Sequence, residues 1–83
     1  MERDAILIFH SIHRVMKAEK VLKNAGLDVR LMPVPRQLSS DCGLSLAFRF
    51  ADREEVAHLL DENGCRYEEL HAREGESYRR VEG

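Results

Sequence analysis

The residue best suited to chemistry in this sequence is Cys42, near the end of the run PVPRQLSSDCG from Pro33 to Gly43. A cysteine acts as a nucleophile only as its thiolate, which nearby cations and helix N-termini favour. In the same run Arg36 supplies a permanent cation, Ser39 supplies a hydroxyl, and Gly43 lets the backbone approach a ligand or turn sharply. Connections this long are usually functional or disordered. We therefore interpret the run as a site with Cys42 as its nucleophile.

Two polar side chains at the start of a predicted helix are expected to support this cysteine. Ser11 follows the apolar run AILIF (Ala5–Phe9) and has the side chain of a helix N-cap. His13, in the first helical turn, would serve as a proton acceptor. The unpaired N–H groups of a helix N-terminus carry partial positive charge, which favours a thiolate. Asp41, directly before the cysteine, acts in the opposite direction unless its side chain points away.

The apolar pattern of the remaining sequence predicts a small α+β domain. Apolar residues return at helical spacing after Ser11, whereas the segment 44–50 alternates as a half-buried strand does. Asp52 and Glu55 resemble a capping box before a second helix. The predicted strands are 5–9, 28–32, 44–50 and 65–70, and the predicted helices run from Ser11 to about Ala25 and from Asp52 to Gly64.

The predicted order βαββαβ is that of the ferredoxin-like fold, a two-layer α+β sandwich whose antiparallel sheet carries two helices on one face. With right-handed crossovers and strand order 4-1-3-2, the first and second strands run in the same direction. The end of the first strand, the start of the first helix, the loop after the second strand and the start of the fourth then share one rim. We expect His10, Ser11, His13, the segment 33–43 and Cys65 at that rim.

Length and composition limit the classes of protein to which this chain can belong. Its 83 residues predict one domain with a modest core, which we assign to 1–71, and a polar, flexible C-terminal tail at 72–83. A net charge of -2 argues against a general nucleic-acid binder. No apolar stretch approaches the roughly 18 residues of a membrane span, and no secretion signal is recognisable. The sequence therefore predicts a cytoplasmic protein without nucleic-acid or membrane partners.

The two cysteines, Cys42 and Cys65, predict neither a disulfide framework nor a paired-cysteine metal site. Cys65 alternates with Tyr67 and is expected in the core. The competing interpretation of Cys42 is likewise a small buried side chain at the start of a strand. His10 and His13 together with Cys42 form a weak zinc-site signal, which surface or capping histidines explain better. No metal and no cofactor are predicted.

Several of these residues also match the pattern of a known family. That pattern is an apolar strand, a phenylalanine and a serine before a helix, an alanine-glutamate pair followed by leucine, and PxPRxxSxxCG. Over about residues 5–70 the chain resembles the selenium/sulfur carrier protein-like family of small bacterial domains. The matching positions are Phe9, Ser11, Ala18, Glu19, Leu22, Pro33, Pro35, Arg36, Ser39, Cys42 and Gly43.

The resemblance implies that Cys42 holds sulfur or selenium as a persulfide or selenosulfide, with Arg36, Ser39 and Gly43 shaping its surroundings. It implies a protein donor of the atom, such as a cysteine desulfurase, and a protein acceptor. The chain would be a carrier rather than an enzyme with turnover of its own. The family pattern assigns no role to His10, His13 or Cys65.

A second interpretation is a non-catalytic module for protein interaction or thiol redox sensing. In that case Cys42 packs or reports oxidation, and the segment 33–43 contacts a partner. The short second strand offers an edge through which a homo-oligomer would form. The reactivity of the Cys42 thiol separates the two interpretations, because an inert thiol favours the second.

Overall fold

The computed structural model describes residues 3–35, 38 and 43–81, which form five strands and two α-helices. A short 3₁₀ helix, Phe50–Asp52, precedes the second α-helix. The sheet is antiparallel, with strand order β2-β3-β1-β4-β5. The α+β class is therefore confirmed. The elements are β1 (Ala5–Phe9), α1 (Ile12–Asn24), β2 (Val29–Pro33), β3 (Leu44–Phe48), α2 (Arg53–Glu62), β4 (Glu69–Glu74) and β5 (Ser77–Arg80).

Both helices contribute to a core on one face of the sheet. Side chains of a strand alternate between faces, so Leu7 and Phe9 of β1 point toward the helices whereas Ile6 and Ile8 point away. All five residues of β1 are buried, because this central strand is covered on both faces. The buried residues of the helix-side core are Ala5, Leu7, Phe9, Val15, Ala18, Leu22, Val29, Leu46, Phe48, Val56, Leu60, Cys65 and Leu70.

Helix α1 begins and ends where its sequence predicts. The Ser11 hydroxyl oxygen accepts a hydrogen bond from the backbone N–H of Arg14 at 3.4 Å, so Ser11 is the N-cap. At the other end Gly26 has φ +84°, a left-handed conformation that glycine adopts without steric cost. These two residues set the length of α1 and place its N-terminus beside the end of β1.

The C-terminal part of the chain differs from the sequence-based expectation. The fourth strand begins at Glu69 rather than at Cys65, and the tail assigned to 72–83 contains the rest of β4 and all of β5. The backbone N–H of Val81 donates to the carbonyl of Leu70 at 2.8 Å. The hairpin escaped prediction because an edge strand such as β5 needs little apolar sequence, and Tyr78 is its only apolar residue. A fifth strand therefore extends the sheet beyond the four-stranded ferredoxin-like plan.

Candidate functional site

The strand directions bring the two ends of the cysteine-bearing segment together at one rim of the sheet. Phe9 at the end of β1 and Pro33 at the end of β2 both pair with Leu44, the first residue of β3. Beyond that pair the backbone N–H of Val34 donates to the carbonyl of Gly43 at 3.2 Å. The segment between β2 and β3 thus starts and finishes in a hydrogen-bonded pair at the rim.

A pocket of about 390 Å³ opens at this rim, between the start of α1 and the start of β3. It brings together two of the predicted site residues, because both Ser11 and Gly43 line it. The first turn of α1 contains no acidic residue, so a helix N-terminus with partial positive charge faces the pocket without an acidic side chain of its own. The lining residues are Phe9, His10, Ser11, Ile12, Gly43 and Leu44.

One carboxylate fixes the connection between β1 and α1 to the start of β4. Glu68 accepts a hydrogen bond from the backbone N–H of His10 at 2.9 Å and from Arg14 Nη1 at 3.1 Å. Its own backbone N–H donates to the carbonyl of Ile8 at 2.9 Å. Sequence reasoning missed Glu68, because all three partners lie more than fifty positions away and no local pattern signals them. Arg14 is paired with this carboxylate, so its charge is partly compensated.

The structure separates the two histidines that were expected at the rim. His10 lines the pocket, whereas His13 is exposed on α1 and is not among the residues that line it. Among the described residues no group of three or more His, Cys, Asp or Glu side chains could hold a metal ion.

The structure places Cys65 in the core, in agreement with its sequence-based interpretation. Its relative exposure is 1%, and its backbone N–H donates to the carbonyl of Leu60 at 2.8 Å. The thiol lies 3.7 Å from the carbonyl oxygen of Asn63. Cys65 therefore belongs to the turn after α2 rather than to the fourth strand, and it does not line the rim pocket.

Three of the predicted site residues, Arg36, Ser39 and Cys42, lie outside the described residues. Their roles stay predictions. Their described neighbours are Val34 and Gly43, between which the three residues lie in the sequence, and Ser11, which lines the same pocket as Gly43.

Comparison with known proteins identifies the family of this chain. The family described as "Putative Se/S carrier protein-like" matches residues 4–72. The chain belongs to this family. The match runs from just before β1 into β4 and leaves β5 outside. It confirms the resemblance inferred from the sequence.

A similar protein is found in Escherichia coli. The uncharacterised protein YtiA of Escherichia coli strain K12 is 32% identical over 58 residues, which span 70% of this chain and 68% of YtiA. No solved structure shows a significant match to the chain. In the described part of this protein no helix is long and apolar enough to cross a membrane.

Proposed function

We propose that this protein is a sulfur or selenium carrier that holds the atom on Cys42 as a persulfide or selenosulfide. Membership of the Se/S carrier protein-like family supports the general class. The observation that carries the proposal is the backbone pair Val34–Gly43 at 3.2 Å. It ties Gly43, the residue directly after Cys42 in the sequence, to a pocket that the N-terminus of α1 also lines.

The transfer step needs no oxidant or reductant from outside. The Cys42 thiolate attacks the outer sulfur of a persulfide on the donor, and a new S–S bond forms as the donor's S–S bond breaks. The donor cysteine leaves as a thiolate, and the proton of the persulfide stays on the transferred sulfur or passes to solvent. In the second transfer an acceptor nucleophile attacks the outer sulfur, and Cys42 is the leaving thiolate.

The described part of the pocket supplies groups that favour such an anionic sulfur. The first backbone N–H groups of a helix have no partner within the helix and carry partial positive charge. A thiolate or persulfide anion near them is therefore stabilised relative to its protonated form. We assign Ser11 and Gly43 to the pocket wall, and we propose that Arg36 and Ser39 complete it. We propose that His13, which is exposed on α1, serves as a proton acceptor.

The proposed partners follow from the chemistry. A carrier that uses one reactive cysteine, Cys42, needs a donor that generates a protein persulfide, which is the product of a cysteine desulfurase, and an acceptor with a nucleophile of its own. We propose a cytoplasmic location because a reducing compartment keeps the resting cysteine as a thiol.

Intact-protein mass spectrometry after incubation with a cysteine desulfurase and cysteine tests the proposal. We expect the wild type to gain the mass of one sulfur, and a thiol reductant to remove it. Cys42→Ser is expected to lose the gain, and Cys65→Ala to keep it, because Cys65 is buried. A thiol relocated by two positions, Ser40→Cys in the Cys42→Ser chain, provides a matched control for position.

Two results would contradict the carrier proposal. One is a wild type that gains no sulfur while its Cys42 thiol reacts slowly with alkylating reagents in the folded state. That result favours the non-catalytic interaction or redox-sensing module instead. The other is equal loading of the relocated thiol, which would mean that any thiol in the segment accepts sulfur and that the Cys42 position has no special role.

A further inference from the structure

The sheet face opposite the helices, here called the open face, buries apolar residues although no helix of the described chain covers it. Ile6, Ile8 and Ala47 have relative exposures of only 2%, 4% and 5%. Partly buried side chains pack against them, namely Met32, Val34, Leu38 and Tyr78. Side chains from β2, from the residues after β2 and from β5 therefore cover this face, as the helices cover the other.

A cleft of about 440 Å³ opens on the open face, and Met32 and Tyr78 are among the residues that line it. Three arginines from three parts of the chain border it, above a floor that includes Ile6 and Ala47. We call it the arginine cleft and define it by Arg3, Ile6, Arg30, Ala47, Arg73 and Tyr78.

The strand register explains why two of these arginines share one cleft. Arg30 of β2 pairs with Ala47 of β3, which pairs with Ile6 of β1, so the three residues form one row across the sheet. Arg73 of β4 pairs with Tyr78 of β5 on the other side. In the strand order, β2 and β4 lie three strand spacings apart, about 14 Å, so their arginine side chains are long enough to reach one small ligand held between them above β3 and β1. The small side chain of Ala47 leaves the hollow between them.

The cleft concentrates positive charge in a chain whose net charge is -2. Among the described residues that line it there is no carboxylate. Arg3 is compensated by Asp28, which its Nη2 contacts at 2.9 Å. Arg73 Nε donates to the backbone carbonyl of Gly75 at 3.0 Å. A carbonyl carries no net charge, so this hydrogen bond does not neutralise the guanidinium of Arg73. Arg30 is exposed and forms no ion pair within the described chain.

Acidic residues lie near Arg73, but on a different surface. Asp4 and Glu76 line a separate depression with Arg73 and Gly75. The carboxylate of Asp4 also accepts a hydrogen bond from the backbone N–H of Phe50 at 2.7 Å. Arg73 thus borders both depressions: it lines the arginine cleft together with Tyr78, and its Nε donates to the carbonyl of Gly75, which lines the acidic depression.

We propose that the arginine cleft binds a small organic phosphate of about the size of a mononucleotide. Guanidinium groups bind phosphate oxygens through two parallel N–H donors, and Arg30 and Arg73 together match a doubly charged phosphate. A flat ring system would lie on the apolar floor of Ile6 and Ala47, beside the ring of Tyr78. The cleft volume falls within the range of about 300–1,000 Å³ typical of small-molecule sites. The proposal does not depend on the chemistry of Cys42.

Titration of the full chain with AMP, followed by methyl NMR, tests this site. The methyl groups of Ile6 and Ala47 are probes in the cleft floor, and the methyl groups of Ile12 on α1 are an internal control. We expect saturable shifts at Ile6 and Ala47 and none at Ile12. Adenosine should cause no saturable shift because it lacks the phosphate, and inorganic phosphate should bind at least about tenfold more weakly than AMP because it lacks the ring.

Substitution of single arginines tests whether the arginines of the cleft bind the phosphate. Arg30→Gln is expected to weaken AMP binding at least about tenfold, since a hydrogen bond to a charged group is lost. Arg66→Gln removes an equally exposed arginine outside the cleft and should leave the affinity unchanged. Cys42→Ser should also bind AMP as the wild type does, which separates this site from the carrier proposal.

Three outcomes would overturn the assignment. The first is the absence of saturable shifts at Ile6 and Ala47 with AMP. The second is an Arg30→Gln variant that binds as tightly as Arg66→Gln. The third is equal affinity for AMP and inorganic phosphate, which would reduce the cleft to a general anion surface with no role for its apolar floor.

Discussion

At the scale of single residues, the pair His71–Glu69 is the clearest departure from a simple apolar interior. His71 is 6% exposed, its Nε2 lies 2.8 Å from Glu69 Oε1, and its Nδ1 has no hydrogen-bond partner among the described residues. An ionised carboxylate only accepts hydrogen bonds, so Nε2 carries the proton. This hydrogen bond holds the pKa of Glu69 below its usual value of 4.5, the charge of Arg80 acts in the same direction, and burial opposes both.

The lowered pKa of Glu69 predicts an acid-dependent loss of stability. A carboxyl with a lower pKa in the folded state stabilises the fold above its unfolded pKa, and this contribution disappears as the pH falls through the folded value. We expect the free energy of unfolding of the wild type to decrease more below about pH 4.5 than that of Glu69→Gln, by about 0.5–1.5 kcal/mol. Urea denaturation at pH 7 and pH 3.5 measures the difference. Glu54→Gln, on the exposed side of α2, is the control, and equal losses in both variants would contradict the prediction.

At the scale of elements, α1 presents an exposed apolar pair next to the rim pocket. Ile12 and Met16 are 59% and 55% exposed, one helical turn apart and therefore on the same side of the helix. Ile12 also lines the rim pocket. Lys20, a further turn along, is exposed as well. A donor that carries an apolar contact surrounded by acidic residues complements this side of α1, so the exposed pair fits a docking contact for the proposed sulfur donor.

The docking role of α1 predicts a difference between protein and small-molecule donors. Met16→Glu and Lys20→Glu should slow sulfur transfer from the desulfurase by about tenfold, because an apolar contact or a complementary charge is lost. Loading from glutathione persulfide should be unchanged, since a small donor needs no docking surface. Ala57→Glu, on α2, is the matched control. Slower loading from both donors would indicate damage to the Cys42 site instead of the docking contact.

The elements also show which features the sequence can predict. The sequence predicts β1 from a continuous apolar run, α1 from a cap serine and helical spacing, and β3 from the alternation of apolar and polar residues. All three are local patterns. The capping box at Asp52 does not form, because the Asp52 carboxylate instead contacts Arg49 Nε at 3.2 Å. The position of Ser11 and Gly43 at the same rim was predicted from the order and directions of the strands. Glu68 and the arginine cleft depend on contacts between distant parts of the chain, which no local pattern encodes.

At the scale of the whole molecule, the C-terminal hairpin and the residue that follows it contribute apolar side chains to both faces of the sheet. Tyr78 packs against Ile6, Ile8 and Ala47 on the open face. Val81 packs against the helix-side core and is hydrogen-bonded through its backbone to Leu70. Residues 73–81, which the family match does not include, are therefore part of the folded unit in this chain.

This role of the hairpin predicts that Val81 contributes to global stability. Val81→Ser replaces a partly buried apolar side chain with a polar one, and we expect the free energy of unfolding to fall by about 1–2 kcal/mol. Arg79→Ala is the control, because Arg79 is exposed and its ion pair with Glu74 is of the surface type, worth about 0–1 kcal/mol. Urea denaturation followed by circular dichroism measures both variants. If Val81→Ser were no less stable than Arg79→Ala, the chain after β4 would contribute nothing to the core, as expected of a flexible tail.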